Sequence, residues 1–297
     1  KKIINIIFSI PKVNGYIEEN EEDGEYLLIT SHLPMSNILT RLSNVKKRAI
    51  YVFHLNMSHY GNKNNLIFKA FIKFMFFNKK VVTVSEGVRQ ECINDYNMNK
   101  KFIRTIYNPI NISEIKEKML EPINIKEKYF LHIGRLSNQK RQDRMLEIFK
   151  KGEFYKNYKL LLCGTGDLLE KYKERTKELG IDDKVIFLGW QQNSFKWMKN
   201  AEILVCTSDN EAFPMTLIEA LTCKTKVVSS NCKFGPNEIL VNEYSNFLVE
   251  PDDIEGYIEK INLALKSYPE EKNPVLEKCD ASNVIDNYLK YSTQIIK

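Results

Sequence analysis

The stretch Ser208-Asp-Asn-Glu-Ala-Phe-Pro-Met-Thr-Leu-Ile-Glu-Ala-Leu221 decides how the chain reads. An apolar run at 201–206 ends just before it and reads as a buried strand, and a helix is expected to begin near Thr216. The loop between them carries Glu211, with Pro214 punctuating the turn into the helix. In an open α/β sheet, ligands lie outside the carboxyl ends of strands, where the next helix presents free N–H groups and the positive end of its dipole. That geometry suits a phosphate. Glu211 in the loop and Glu219 on the helix can each accept two hydrogen bonds, so a sugar or ribose diol is a natural partner for either. The combination points to a nucleotide-sugar site.

Strand and helix patterns alternate on both sides of this stretch. Strands are expected at 26–30, 48–54, 80–85 and 102–107, and again at 129–133, 160–163, 185–188, 203–206, 226–229 and 247–249. Helices are expected at 35–42, 64–77, 86–96, 141–150, 167–179, 193–199, 216–222, 237–241, 254–267 and 281–296. Such alternation predicts parallel sheets covered on both faces. The charged segment 112–125 contains Pro122 and reads as a connection. The expected division is a first domain over 1–115, a linker at 116–127, a second domain over 128–280, and a closing helix at 281–297 that packs back on the first domain. The fold class is α/β, two doubly wound Rossmann-like domains facing a cleft.

At 297 residues the chain is long enough for two cores, and 43% hydrophobic with 28% charged residues is ordinary globular composition. No apolar run reaches membrane-spanning length and no signal-peptide pattern opens the chain. Six cysteines without CxxC spacing support neither a disulfide framework nor a zinc site, so free thiols in a cytoplasmic protein are expected. Residues 1–120 hold 18 Lys/Arg against 11 Asp/Glu, and the rest 26 against 27. A basic first half beside a neutral second half suggests different partners for each.

Gly134-Arg135-Leu136 follows the strand at 129–133, with Lys140 five residues beyond Arg135. Two cations at the carboxyl end of a strand would neutralise a diphosphate, where an isolated Arg alone reads as a solvated loop residue. Gly164-Thr165-Gly166 lacks the third glycine of a dinucleotide fingerprint and reads as a tight strand-to-helix turn. The chain has no Asp-x-Asp pair of the kind that grips a diphosphate through a divalent ion, so no metal and no cofactor are expected. His132 lies in a strand and reads as a core residue. His54, at a strand end, is the candidate to orient a sugar hydroxyl or move a proton, with His59 and His32 weaker candidates. The helix at 64–77 is apolar around most of its circumference with lysines interspersed. Burial on both sides produces that pattern, and so does a helix lying on an anionic leaflet. No nucleic-acid-binding module accompanies the charge.

These residues resemble the family-4 retaining glycosyltransferases, which have the GT-B fold. The resemblance rests on Gly134-Arg135-Leu136 with Lys140, on Phe187-Leu188-Gly189, and on Glu211 to Glu219 as the E-x7-E element. Val84-Ser85-Glu86-Gly87-Val88, Tyr107-Asn108-Pro109-Ile110 and Gly235-Pro236-Asn237-Glu238-Ile239 are similar to further landmarks of that family. It implies that Arg135 and Lys140, beside Gly134, bind the donor diphosphate, that Glu219 binds the ribose hydroxyls, and that Glu211 contacts the transferred sugar. The backbone around Phe213, Pro214, Met215 and Thr216 would meet the distal phosphate and sugar, and the base would lie near Leu188, Trp190 and Gln191. It also implies metal-independent transfer with retained anomeric configuration. Ala212 stands where the family usually has Gly, and Lys224-Thr225-Lys226 replaces a more typical Gly-Thr-Pro. Relative to the family, the first domain is expected to lack an opening βαβ portion at its N-terminus.

The expected function is hexosyl or N-acetylhexosaminyl transfer (EC 2.4) from a nucleoside-diphosphate sugar, most often UDP-linked. The acceptor would be a glycan or lipid-linked molecule in bacterial surface polysaccharide or lipopolysaccharide-type biosynthesis. The enzyme would be cytoplasmic, reaching the membrane's inner face through the helix at 64–77. The competing readings are a non-hydrolysing sugar-nucleotide epimerase and a non-catalytic donor-binding remnant.

Overall fold

The computed structural model describes residues 29–294, apart from 33, 44, 45, 47, 48 and 55–64. The chain divides into two compact units: Pro109–Ala281, and the residues up to Asn108 joined by those from Ser282 onward. The expected strand residues 26–28 and the candidate His59 lie outside the described residues, as does the opening region expected to be shortened.

In the first unit four strands, β1 (Thr30–His32), β2 (Ile50–Phe53), β3 (Val81–Thr83) and β4 (Ile103–Thr105), form a parallel sheet in that order. Every residue of β2 and β3 is buried, as central strands covered on both faces require. The helices are α1 (Pro34–Leu42), α2 (Leu66–Phe76) and α3 (Glu86–Asn94). Ser85 begins α3 by accepting the Val88 N–H at 3.3 Å, and Asn65 begins α2 by accepting those of Ile67 and Phe68. Helix α2 is buried on one side only. Ile72, Met75 and Phe76 face the sheet, while Leu66, Ile67, Phe71 and Phe74 are exposed. Burial on both sides, the plainer reading of its pattern, therefore does not hold among the described residues.

The second unit contains α4 (Ile112–Lys118), β5 (Tyr129–Ile133), α5 (Gln142–Lys151), β6 (Lys159–Cys163), α6 (Leu169–Glu178), β7 (Val185–Gly189), α7 (Phe195–Asn200), β8 (Ile203–Cys206), α8 (Met215–Thr222), β9 (Val227–Ser230), α9 (Pro236–Ile239), β10 (Leu248–Val249), α10 (Ile254–Lys266) and α11 (Val275–Lys278). The segment read as a connection thus holds a helix, α4, packed on α7 and α8 through buried Ile115. The sheet is wholly parallel, ordered β10-β9-β8-β5-β6-β7. From β5 the chain builds outward through β6 and β7, then returns to place β8 on the other flank of β5. The carboxyl ends of β5 and β8 therefore form the topological switch point, where an open α/β sheet leaves a crevice. One core lies under it, formed by Phe130, Leu146, Phe149, Leu162, Ile203, Val205, Tyr257 and Ile261 among others.

The last helix, α12 (Ala281–Thr293), returns to the first unit. Tyr291 donates its hydroxyl to the Phe102 carbonyl at 2.6 Å, and Arg104 donates to Gln294 at 2.9 Å. Lys80 and Arg104 both lie over the Tyr291 ring.

Candidate functional site

The loops leaving β5 and β8 are stapled together. Gln139 donates its side-chain N–H to the Asn210 carbonyl at 2.8 Å and accepts the Asp209 N–H on its own carbonyl at 2.9 Å. The Thr207 hydroxyl lies 3.0 and 2.8 Å from the carbonyls of Lys140 and Arg141. It has one proton, given to a carbonyl, so His132 Nε2, 3.2 Å from Thr207 Oγ1, is the nitrogen that donates. His132 is buried, and burial lowers its pKa to about 4, so it is neutral and structural.

Within this frame the Lys140 ammonium donates to Glu211 Oε1 at 2.6 Å, and the Ser208 hydroxyl donates to the same oxygen at 2.7 Å. Gly134 makes room for the lysine stem, because a Cβ there would lie 3.3 Å from Lys140 Cδ. Burial alone would lower the Lys140 pKa, but the facing Glu211 charge leads the causes that raise it overall. Glu211 is also fixed through its backbone by the loop after β9. Its N–H donates to the Lys233 carbonyl at 2.9 Å, and its carbonyl accepts the Phe234 N–H at 2.6 Å. Gly235 is required at this closure, since a Cβ there would meet the Ala212 carbonyl and Phe213 Cα at 2.8 Å.

Of the four principal residues expected here, the structure brings Lys140 and Glu211 into direct contact. Arg135 is not part of that contact: its side chain is 71% exposed and lies 3.5 Å from Asp167, which is 92% exposed. It borders a depression of about 770 Å³ at the ends of β5, β6 and β7, lined also by Gly134, Gly164, Gly166, Trp190 and Gln191. Gly164 and Gly166 let two loops touch: a Cβ at either would fall 2.1 or 2.2 Å from the carbonyl of Gly134 or Leu136. Trp190 is 71% exposed and offers a free ring face. Gln191 is occupied, donating to the Leu188 carbonyl at 2.8 Å and accepting the Trp197 indole N–H at 3.0 Å.

Helix α8 starts at Met215 with Pro214 as N-cap and no side chain capping it, so its N-terminal end is open to an anion beside the Glu211 loop. Phe213 and Pro214 are buried; Met215 and Thr216 are partly exposed. Glu219 lies about 6 Å further along the axis. It is partly buried, and among the described residues no side chain pairs with it; burial raises its pKa above the ordinary 4.5.

Sequence reasoning missed a buried clamp. Arg144 on α5 is 2% exposed and donates to the Thr207 carbonyl at 2.6 Å, to Asp209 at 2.8 Å and to Asp252 at 2.5 Å. Arg141 adds bonds to Asp143 and Asp209. The local sequence carries little signal, since Arg144 stands between Asp143 and Met145 with Lys140, Arg141 and Glu147 one turn away; a buried charge must nevertheless find partners.

In the first unit, His54 follows β2 and its Nε2 lies 2.7 Å from Nδ1 of His32 at the end of β1. Burial, followed by the His32 charge, pushes His54 down to about 4, and burial lowers His32 as well. Among the described residues no group of three or more His, Cys, Asp or Glu is placed to hold a metal ion, and no helix is long and apolar enough to cross a membrane.

Two parallel, helix-covered sheets, each in its own unit, are the GT-B architecture. Solved structures of similar fold include the lipopolysaccharide outer core galactosyltransferase WaaB in its apo form, with TM-score 0.72, 20% identity, and 98% of this chain and 80% of that one covered. Anabaena HepE in complex with UDP gives TM-score 0.71, 18% identity, and coverage of 97% and 78%. The profile described as glycosyl transferases group 1 matches residues 113–277, and the chain belongs to that family. A Campylobacter jejuni relative, the N-acetylgalactosamine-N,N'-diacetylbacillosaminyl-diphospho-undecaprenol 4-alpha-N-acetylgalactosaminyltransferase, is 27% identical over 238 residues, covering 78% of this chain. The Escherichia coli lipopolysaccharide 1,6-galactosyltransferase is 31% identical over 190 residues, covering 61% of this chain. The chain spans 65% of the first relative's length and 51% of the second's.

Proposed function

We propose that this chain carries the donor-binding machinery of a retaining glycosyltransferase that moves a sugar from a UDP-sugar to a glycan or lipid-linked acceptor in bacterial surface polysaccharide assembly. The observation that carries this reading is the contact of Lys140 with Glu211 at the switch point, beside the uncapped start of α8. The UDP bound by the similar HepE structure and the transferase activities named for the bacterial relatives support it.

In this scheme the uridine lies in the depression beside Trp190, its ring face available for stacking, and Glu219 accepts the ribose hydroxyls. Those two hydrogen bonds compensate a carboxylate that burial otherwise disfavours. Exposed Arg135 and the two unused N–H donors of Lys140 take the diphosphate oxygens, helped by the open N–H end of α8. Glu211, held by Lys140 and Ser208, keeps one oxygen to accept from a hydroxyl of the transferred sugar. The acceptor hydroxyl then attacks the anomeric carbon from the face the diphosphate leaves. As the sugar–phosphate bond breaks, the acceptor proton passes to the departing phosphate oxygen. Arg135 and Lys140 stabilise the charge growing there, an interaction stronger in the transition state than in the ground state. His54, neutral at its lowered pKa, is assigned to orient a sugar hydroxyl.

A panel of nucleotide-sugars tests this with two readouts, melting shift for binding and release of UDP for transfer or hydrolysis. UDP-sugars are expected to raise the melting temperature, with Arg135→Ala and Trp190→Ala weakening the shift and Glu211→Ala abolishing turnover. A shift without turnover in the parent chain would mean a donor-binding remnant. No shift with any nucleotide-sugar would remove the reading altogether.

A further inference from the structure

Helix α2 is apolar on two opposite sides, and only one is used. Its inward side chains are locked: the Phe76 ring meets Tyr51 and Phe53 edge-on at 5.4 and 4.9 Å, and Arg41 donates to the Met75 carbonyl at 2.7 Å. The outward side shows Leu66 at 79%, Ile67 at 82%, Phe71 at 44% and Phe74 at 73% exposure, continued by Phe77 at 60%. These five are half of the ten large hydrophobic side chains exposed among the described residues, concentrated on about 16 Å of helix. Single exposed apolar residues are ordinary, whereas a contiguous patch marks a surface that something covers.

The surrounding charge says what. Lys69 and Lys73 flank the strip, and residues 26–85 contain nine Lys or Arg and no Asp or Glu. Where the helix ends, a recess of about 230 Å³ is bordered by Lys73, Asn78, Lys79, Asn97 and Asn99, all able to donate to a phosphate. A rigid apolar strip edged by ammonium groups, on a helix that itself carries no Asp or Glu, complements an anionic lipid leaflet. The rings reach the acyl boundary and the lysines stay at the headgroup phosphates.

We propose that the outward face of α2 docks this chain on an anionic lipid surface. The inference stands on the first unit and does not rest on the sugar-transfer reading. The test is flotation of the full chain with phosphatidylcholine vesicles, with and without phosphatidylglycerol. Binding is expected only where phosphatidylglycerol is present and is expected to weaken with added salt. Lys69→Gln with Lys73→Gln should lower partition roughly thirtyfold on the anionic vesicles, and Ile67→Ser with Phe74→Ser by at least about tenfold. Because all four side chains are partly or fully open to solvent, these variants should melt with the parent. Ile285→Ser, 55% exposed on α12, is the control that should bind as the parent does. A parent chain that does not float, or serine and glutamine variants that float unchanged, would overturn the proposal. So would a dimer in sedimentation that the same serine substitutions dissociate, since the face would then belong to a second copy. The UDP-induced melting shift of each variant reads the donor site separately, so failure of either reading leaves the other standing.

Discussion

Glu211→Ala removes the carboxylate that takes the Lys140 ammonium at 2.6 Å and the Ser208 hydroxyl at 2.7 Å. The side chains of Lys140 and Glu211 are only 21% and 9% exposed, so the ammonium left behind is poorly rehydrated. Losing one partner of a fully buried pair costs about 3–5 kcal/mol; partial access of Lys140 to water brings the expectation to about 3 kcal/mol. At about 2–4 °C per kcal/mol for a domain of this size, the variant should melt about 6–12 °C below the parent. Lys140→Met leaves the carboxylate with Ser208 as donor and should cost about 2 kcal/mol. The double variant Lys140→Met, Glu211→Ala leaves no ion behind, and the cycle closed by these two singles should show about 1.5–3 kcal/mol of coupling. The pH window follows from the raised Lys140 pKa. The contribution is whole below the ordinary 10.5 and is lost as pH rises through the folded value, so a cycle measured at neutral pH reads its full size. Coupling below about 0.5 kcal/mol would refute the reasoning, because the backbone staples and Arg144 would then suffice to hold the loop.

Three further outcomes are expected. Glu219→Gln should raise the ligand-free melting temperature at neutral pH by about 2–4 °C, because a carboxyl whose folded pKa is raised stabilises only below its unfolded value and costs stability as pH rises through the folded one. The gain should vanish in acid, and the same variant should lose UDP-induced stabilisation. His54 is pushed down to about 4 and His32 is also lowered, so their contribution is present above the ordinary 6.5 and lost as pH falls toward about 4. A His32→Asn, His54→Asn chain followed by circular dichroism should show a flatter acid limb than the parent. Gly166→Ala would place a Cβ 2.2 Å from the Leu136 carbonyl. It should lower the urea midpoint by the equivalent of about 2 kcal/mol or more, and an unchanged midpoint would mean the two loops part freely.

Much of the second unit was legible because its strands are short apolar runs bracketed by amphipathic helices, as at 129–133 and 203–206, where the expected bounds match β5 and β8. Segment 112–125 was misread because charge and Pro122 imitate a linker, while one buried side chain, Ile115, is enough to seat α4. The Lys140–Glu211 contact joins residues 71 apart and depends on β8 lying beside β5, a strand order that no local pattern encodes. Arg144 stayed hidden for a related reason: its burial is tolerable only with partners at 207, 209 and 252. In α2 the periodicity was ambiguous by construction, since a helix apolar nearly all round does not reveal which side meets the sheet.

The return of α12 to the first unit bears on how the chain matures. Pro109–Ala281 is one continuous stretch and can complete its core as soon as it has left the ribosome, whereas the earlier-made unit still lacks Tyr291 and its bond to the Phe102 carbonyl. Vectorial synthesis therefore supplies every residue of the later unit before it supplies the last helix of the earlier one. A nascent chain stalled before Ser282 would display the flank of β4 unclosed, which is the kind of surface that holding chaperones recognise.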